Sequence, residues 1–399
     1  MRSWKGLGGE PWCPAQPVQA VGKRCATKGN KRNKLKAEWA RWFSSVATIA
    51  VKSVTKGFFP LDRKLGLQDK HWSEGIAKQA VWLSGLVAFE DAATILQEIG
   101  QVEISDSSVW RLTQKWGEQF RLLETREEEQ AHRLPAAGEV IQRQKRSVGR
   151  KGLSMDGTMI YIRGEGWKEL KVGCLFDVVL LPSVDPQTKD RIDLGHALRN
   201  TYVSHLGGPE AFGRKLWTEA QRRNWLRAMD TQVVADGATW IWNLVQDYFY
   251  DSHPLIDWFH AKEHLALAAQ LAFGEGSSTA KRWLKEQETR LFQGHAPDIA
   301  QMIVDLAAHK PLVRTDLLQQ AGYFENNKRR MDYLELRSEG WLIGSGMVES
   351  GGKQFKDRFC DAGMRWSRSG AERLLPIRTT IMSKRFDHCW QMVYNSPNI

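Results

Sequence analysis

The chain has 399 residues, 42% of them hydrophobic, enough to bury a large core in two or three domains. A formal charge of +11 and a pI near 9.4 point to a polyanionic partner, either nucleic acid or an anionic membrane surface. No run approaches the ~18 apolar residues of a membrane span, no secretory apolar stretch follows the basic N-terminus, and Cys13, Cys25, Cys174, Cys360 and Cys389 are scattered without a Cys-x-x-Cys pair. Neither a disulfide framework nor a zinc ribbon is indicated, and the expectation is a cytoplasmic, nucleoid-associated protein with no membrane partner.

In chain order, residues 1–60 read as a basic arm, with Lys23-Arg24 and Lys31–Lys36 as its densest charge and a short helix over Ala37–Val51. Residues 61–147 read as helical. Ala77, Ala80, Leu83 and Leu86 recur at helical spacing, and Phe89, Ala92, Ala93, Leu96 and Ile99 mark a further helix face that Gly100 is expected to stop. Ser105 or Asp106 caps the next helix, with Val109, Leu112 and Trp116 inside. This is a helix-turn-helix layout, equally an ordinary helical hairpin. Its outer face carries Ser107, Ser108, Arg111 and Lys115, residue types that contact phosphates and base edges. Residues 118–146 are highly charged and read as a solvated linking helix.

Residues 148–263 alternate between strand and helix signals. A strand beginning at Lys151 meets a turn or bulge at Gly157 and resumes to Arg163; Trp167–Val179 is a second strand, Tyr202–Leu206 a third. Pro209–Met229 is an amphipathic helix, Thr231–Ala235 a buried strand, Trp240–Phe249 a helix, Pro254–Asp257 a short strand and Ala261–Phe273 a helix. That order argues for an α/β domain. Residues 264–343 are helical and polar, and 344–399 hold a helix beginning at Glu349 and a C-terminal helix.

Three acids follow apolar stretches or open a helix: Asp156 after Leu153-Ser-Met155, Asp236 after Val233-Val-Ala235, and Glu349 after Gly346-Met-Val348. Asp-Gly is also a common turn dipeptide, so either aspartate alone has a structural reading. Together, two strand-end aspartates and a distant glutamate suit Mg²⁺, which takes hard oxygen ligands. Crowded carboxylates repel one another unless cations neutralise them. The segment Asp257-Trp-Phe-His260-Ala-Lys-Glu263-His264 literally matches the inverted zinc-peptidase motif, with His260 and His264 one helical turn apart; polar residues bonded near a helix start explain it equally. After Glu349, Lys353, Lys356, Arg358, Arg365 and Arg368 form a basic run suited to nucleic acid, or to a solvated helix face. Trp283, Trp341 or Trp366 could stack on an unpaired base, although most of the 18 tryptophans are expected in the core.

Six ordered blocks carry a resemblance: Ser154–Thr158, Gly166–Gly173, Asp236–Trp242, Asp257–His264, Gly344–Ser350 and Ala362–Arg368. Together with Phe58–Asp62 and Leu65–Leu67 they resemble the ISKra-four family of bacterial insertion-sequence transposases over roughly residues 58–380. The first 57 or so residues have no counterpart in that resemblance. It implies an RNase H-like catalytic core interrupted by a helical insertion between the second aspartate and the glutamate. It implies Asp156, Asp236 and Glu349 as ligands of Mg²⁺, with Mn²⁺ as substitute. His260, in an Asp-x-x-His pair similar to that of Mutator-type transposases, is implied near the scissile phosphate. The function then expected is cleavage at element ends and joining of 3′-OH groups to target DNA, by a dimer or larger assembly. The alternatives are a DNA-binding remnant without nuclease activity and a zinc peptidase.

Overall fold

The computed structural model describes residues 71–131, 149–184 and 191–395. The expected basic arm and the 132–146 part of the linking helix lie outside the described residues.

Three helices come first: α1 (Glu74–Ser84), α2 (Phe89–Glu98) and α3 (Asp106–Gln130). Ser73 and Ser105 accept hydrogen bonds from the exposed amides at the starts of α1 and α3, the N-cap role of serine. The turn after α2 differs from expectation. Gln101, not Gly100, takes the left-handed conformation (φ 52°), and Val102 N–H closes back onto Leu96 O at 3.0 Å. Gly100 is needed for closeness instead, since a Cβ there would lie 2.7 Å from the Leu96 carbonyl oxygen.

The charged 118–130 stretch is not a separate solvated helix. It continues α3, with Phe120 and Leu123 buried. Its acids pair with cations of later helices: Glu118 with Arg373, Glu124 with Lys215 and Glu127 with Arg222.

The centre is a five-stranded mixed sheet in the order β3-β2-β1-β4-β5. Its strands are β1 (Arg150–Ile162), β2 (Gly166–Val184), β3 (Arg191–His205), β4 (Asp230–Ala235) and β5 (His253–Ile256). β1, β2 and β3 pair antiparallel, whereas β1–β4 and β4–β5 pair parallel. The chain is therefore a mixed α/β fold. Three sequence expectations are corrected. β1 runs unbroken through Gly157, because its ladder with β2 keeps one register from Arg150 to Ile162. β3 begins eleven residues before the expected Tyr202; its polar first half lies on the sheet edge, where no apolar alternation is required. The helix expected over Pro209–Met229 is α4 (Pro209–Arg222), ended where Asn224 turns left-handed (φ 58°).

Helix α5 (Thr239–Tyr248) links β4 to β5. Helices α6 (Trp258–Phe273), α7 (Ser278–Phe292), α8 (Ala296–Ala308), α9 (Arg314–Asn327) and α10 (Tyr333–Ser338) then fill the expected helical insertion. Their apolar faces, through Leu265, Leu291, Ile303, Phe324 and Tyr333, share one core with the sheet. The chain returns through α11 (Gly346–Phe359), α12 (Arg368–Met382) and α13 (Phe386–Asn395). The last helix was expected with the catalytic core. It joins the first three instead: Trp390 lies 4.6 Å from Trp116 and Phe386 stacks on Phe120 at 5.5 Å. Among the described residues no helix is long and apolar enough to cross a membrane.

Candidate metal centre at the ends of three parallel strands

The parallel registers place three aspartates at one level. Leu153 pairs with Val233, so Asp156 and Asp236 each lie three residues further along neighbouring strands. Ala235 pairs with Ile256, so Asp236 and Asp257 each follow by one. Asp257 N–H donates to Ala235 O at 2.7 Å, continuing the ladder to that level. Asp236 and Asp257 thus stand at the carboxyl ends of β4 and β5, where open α/β sheets hold their ligands. Asp156, expected at a strand end, instead lies level with them inside β1, because the ladder with β2 carries that strand on to Ile162.

Helix α11 brings Glu349 to this end. Its approach depends on Gly351. A Cβ on Gly351 would come within 2.4 Å of the Tyr202 ring. One on Gly352 would reach Asp156 Oδ2 at 3.8 Å, an ordinary contact that shows how near the helix lies to that carboxylate. Tyr202 also donates its hydroxyl to Met347 O at 3.3 Å.

Asp257 was read from sequence as the start of a motif, not as a member of the acid row. It is fully buried and holds the site together. Oδ1 accepts from His260 N–H at 2.8 Å, capping α6, and meets His260 Nδ1 at 3.2 Å. Oδ2 accepts from Ser345 N–H, and Ser345 Oγ–H donates to Glu349 Oε1 at 2.9 Å. One carboxylate therefore ties the end of β5 to the loop that launches α11. The signal was present: Pro254-Leu-Ile256 followed by an acid repeats the pattern that singled out Asp156 and Asp236.

Among the described residues, the ligand atoms of Asp257, His260 and Glu349 lie within 4.8 Å of one another, a cluster able to hold a metal ion. The expected triad of Asp156, Asp236 and Glu349 is not drawn to that tightness; Glu349 leans toward His260. Asp156 and Asp236 are half-buried and Glu349 is exposed. Burial pushes the Asp156 carboxyl up, the Gly157 amide at 2.7 Å works against that, and the negative charges of Asp236 and Glu349 add to the rise. Asp257 behaves oppositely. Burial would raise it, but the hydrogen bonds from His260 and Ser345 win and hold it below the usual carboxylate range. The bond to Asp257 carries His260 up to about 9 despite partial burial, so its imidazole is a cation at neutral pH.

His264 points elsewhere. Its Nδ1 lies 2.7 Å from Gln320 Oε1 and its ring stacks on Tyr323 at 3.5 Å. His260, Glu263 and His264 form no three-ligand group among the described residues.

The predicted DNA-contacting residues divide. Ser107, Arg111 and Lys115 are exposed along α3, while half-buried Ser108 accepts from Arg111 at 3.1 Å. Lys353, Lys356 and Arg365 are exposed. Arg358 is a correction: it is 1% exposed, sandwiched by Phe89 and Trp366, and donates through Nε to Ser84 O at 2.7 Å. Arg368 is also committed inside the fold, to Glu165 in the β1–β2 turn, to Leu206 O and to Glu372. The aromatic candidates are corrected as well. Trp341 and Trp366 are buried and Trp283 packs against Phe273. The exposed ring beside the site is Phe259, 60% open and next to His260.

Neither a comparison with protein-family models nor a search of curated proteins finds a match for this chain.

Proposed function

We propose that this chain is a Mg²⁺-dependent DNA transposase of the DDE type, built on an RNase H-like core. The carrying observation is the common level of Asp156 and Asp236 on adjacent parallel strands, with the helix that carries Glu349 passing close to Asp156 at Gly352. The strand order β3-β2-β1-β4-β5, antiparallel then parallel, and the helical insertion before Glu349 support the same reading.

The donor set fits Mg²⁺. Asp156, Asp236 and Glu349 offer carboxylate oxygen alone, and a bound cation would relieve the repulsion that Asp236 and Glu349 add to the burial of Asp156. Asp156, Asp236 and Glu349 would hold the metal, with Mn²⁺ as substitute. A metal pair supplies a clamp on the attacking and leaving oxygens of an in-line displacement. The chain's own residues do the positioning. Asp257 and Ser345 fix the start of α11 and hence the reach of Glu349. His260, held cationic by Asp257, offers positive charge to a phosphate entering beside it. In the first step a water oxygen bonds to phosphorus and the P–O3′ bond breaks, freeing a 3′-OH at the element end. In the second that 3′-OH attacks a target phosphodiester and displaces another 3′-OH, leaving the number of ester bonds unchanged. The exposed faces of α3 and α11 would bind duplex DNA, and joining two ends calls for at least two copies of the chain.

The test is nicking of a labelled duplex that carries the element's end, with Mg²⁺ or with EDTA. The expected result is Mg²⁺-dependent cleavage that Asp156→Asn and Glu349→Gln each reduce by at least ~10³-fold, or about 4 kcal/mol of barrier, with duplex binding retained. Binding without nicking in either Mg²⁺ or Mn²⁺ would replace this reading by that of a DNA-binding remnant.

A further inference from the structure

The basic turn that follows α9, Lys328-Arg329-Arg330, lies in the insertion, far in sequence from every basic residue assigned to DNA above. The fold brings it beside Asp236. The last turn of α9 closes over the loop after that aspartate: a Cβ on Gly237 would meet the Tyr323 ring at 2.6 Å and Asn327 Nδ2 at 3.3 Å. Arg330 donates to Asn327 Oδ1 at 3.1 Å, and its guanidinium lies 4.3 Å over the Trp242 ring. Trp242 in turn donates its indole N–H to the backbone carbonyl of Asp236 at 2.8 Å. Through Trp242, Arg330 is thus two contacts from the backbone of a site acid.

The three cations differ in what they already hold. Lys328 is paired with Glu325. Arg329 is exposed and Arg330 half-buried, and among the described residues neither meets a carboxylate. A half-buried guanidinium without a counter-ion is costly unless something anionic completes it. Resting on Trp242 and braced by Asn327, Arg330 is also pre-oriented, which lowers the entropy lost when its remaining N–H groups bind an anion.

We infer that Arg330 and Arg329 form a phosphate-binding element of the site, contributed by the helical insertion, that grips the sugar-phosphate backbone of a nucleic acid next to the strand being cut. The inference rests on the nuclease reading for its location beside chemistry, but the contact itself is electrostatic and independent of base sequence.

That independence sets the test. The full chain is titrated onto a fluorescein-labelled duplex oligonucleotide of random sequence at several salt concentrations, with EDTA present. Each phosphate contact adds about 0.9 to the slope of log affinity against log salt. Arg330→Gln and Arg329→Gln are each expected to lower the slope by about 0.9, whereas Arg330→Lys keeps it. If Arg330→Gln fails to fold, by circular dichroism, exposed Arg329→Gln decides. An unchanged slope in folded variants overturns the inference, and so does a parent that binds no duplex. A parent that shows the slope change yet never nicks DNA in Mg²⁺ overturns the nuclease reading alone.

Discussion

Arg358 and Arg330 are both guanidiniums laid over aromatic rings, one in the last turn of α11 and the other after α9, and they serve opposite ends. Arg358 is sealed in. Together with Arg378 it answers the free carbonyls at the end of α1: Arg358 donates to Ser84 O, and Arg378 to Gly85 O at 3.1 Å. Helix α1 has no basic residue in its own last turn, so these two cations also meet the negative end of its dipole. The cost is visible: burial, with repulsion from Arg378 added, lowers Arg358 to about 10. Arg330 is only half-buried; it rests on Trp242 and donates to the Asn327 side chain rather than to a helix-end carbonyl. The difference teaches that a basic residue is available to a polyanion only after the fold has taken what it needs. Arg358 and Arg368 stand in the basic run after Glu349 and are consumed internally. Arg329 and Arg330 stand in an unremarked stretch and remain open.

The comparison breaks most sharply at Arg358. Arg358→Ala is expected to destabilise the protein by about 3 kcal/mol, from the lost packing and the orphaned Ser84 carbonyl. In a chain of this size that is a fall of about 4 °C in melting temperature by calorimetry. A folded Arg358→Met whose salt slope for duplex binding drops would instead make Arg358 a DNA contact. Gly351→Ala comes next, because the Tyr202 ring occupies the space for its Cβ. About 2 kcal/mol of stability is expected to go. Nicking is expected to fall further than the melting point implies, because α11 carries Glu349 outward; nicking that merely tracks stability would remove Gly351 from the positioning of the site.

His205 gives a third case, a group kept neutral by the fold. Burial lowers it to about 4, helped by Lys215, Lys171, Arg214 and Arg368 around it. With the folded value below the ordinary 6.5, the unfolded chain binds more protons in between. Stability is therefore expected to fall as pH drops from about 6.5 toward 4. Solvent screening of the half-buried ring limits the effect to about 1 kcal/mol. Urea melts of His205→Gln should show a correspondingly flatter acid limb; a limb identical to the parent's would mean that the ring titrates normally. Smallest is Arg329→Gln, expected to leave stability within about 0.5 kcal/mol while still lowering the salt slope. A large loss of stability there would show the turn to be a structural brace.

Much of the site was legible because its rule is local. An acid that follows a short apolar run marks the level at which β4 and β5 end: Asp236 follows β4 directly, whereas Asp156 stands level with it inside the longer β1. The same rule reaches Asp257, where the motif had drawn attention to the histidine instead. The register could not be read, since β1 meets β4 only over Arg150–Leu153 and the residues pairing there come from segments far apart in the chain. The part of β3 before Tyr202 escaped detection for a related reason: an edge strand with one solvated face carries little hydrophobic alternation.

By itself, then, the sequence determined the helices with serine caps, the buried strands, the insertion and the acids that end apolar runs, because these follow from interactions among near neighbours. Only the tertiary structure decided which charges stay free, that α13 belongs with the first helices, and that Asp257 fastens Glu349's helix to the sheet. Those outcomes depend on burial and hydrogen-bond partners drawn from remote parts of the chain, and the cost of leaving a buried polar group unpaired selects them.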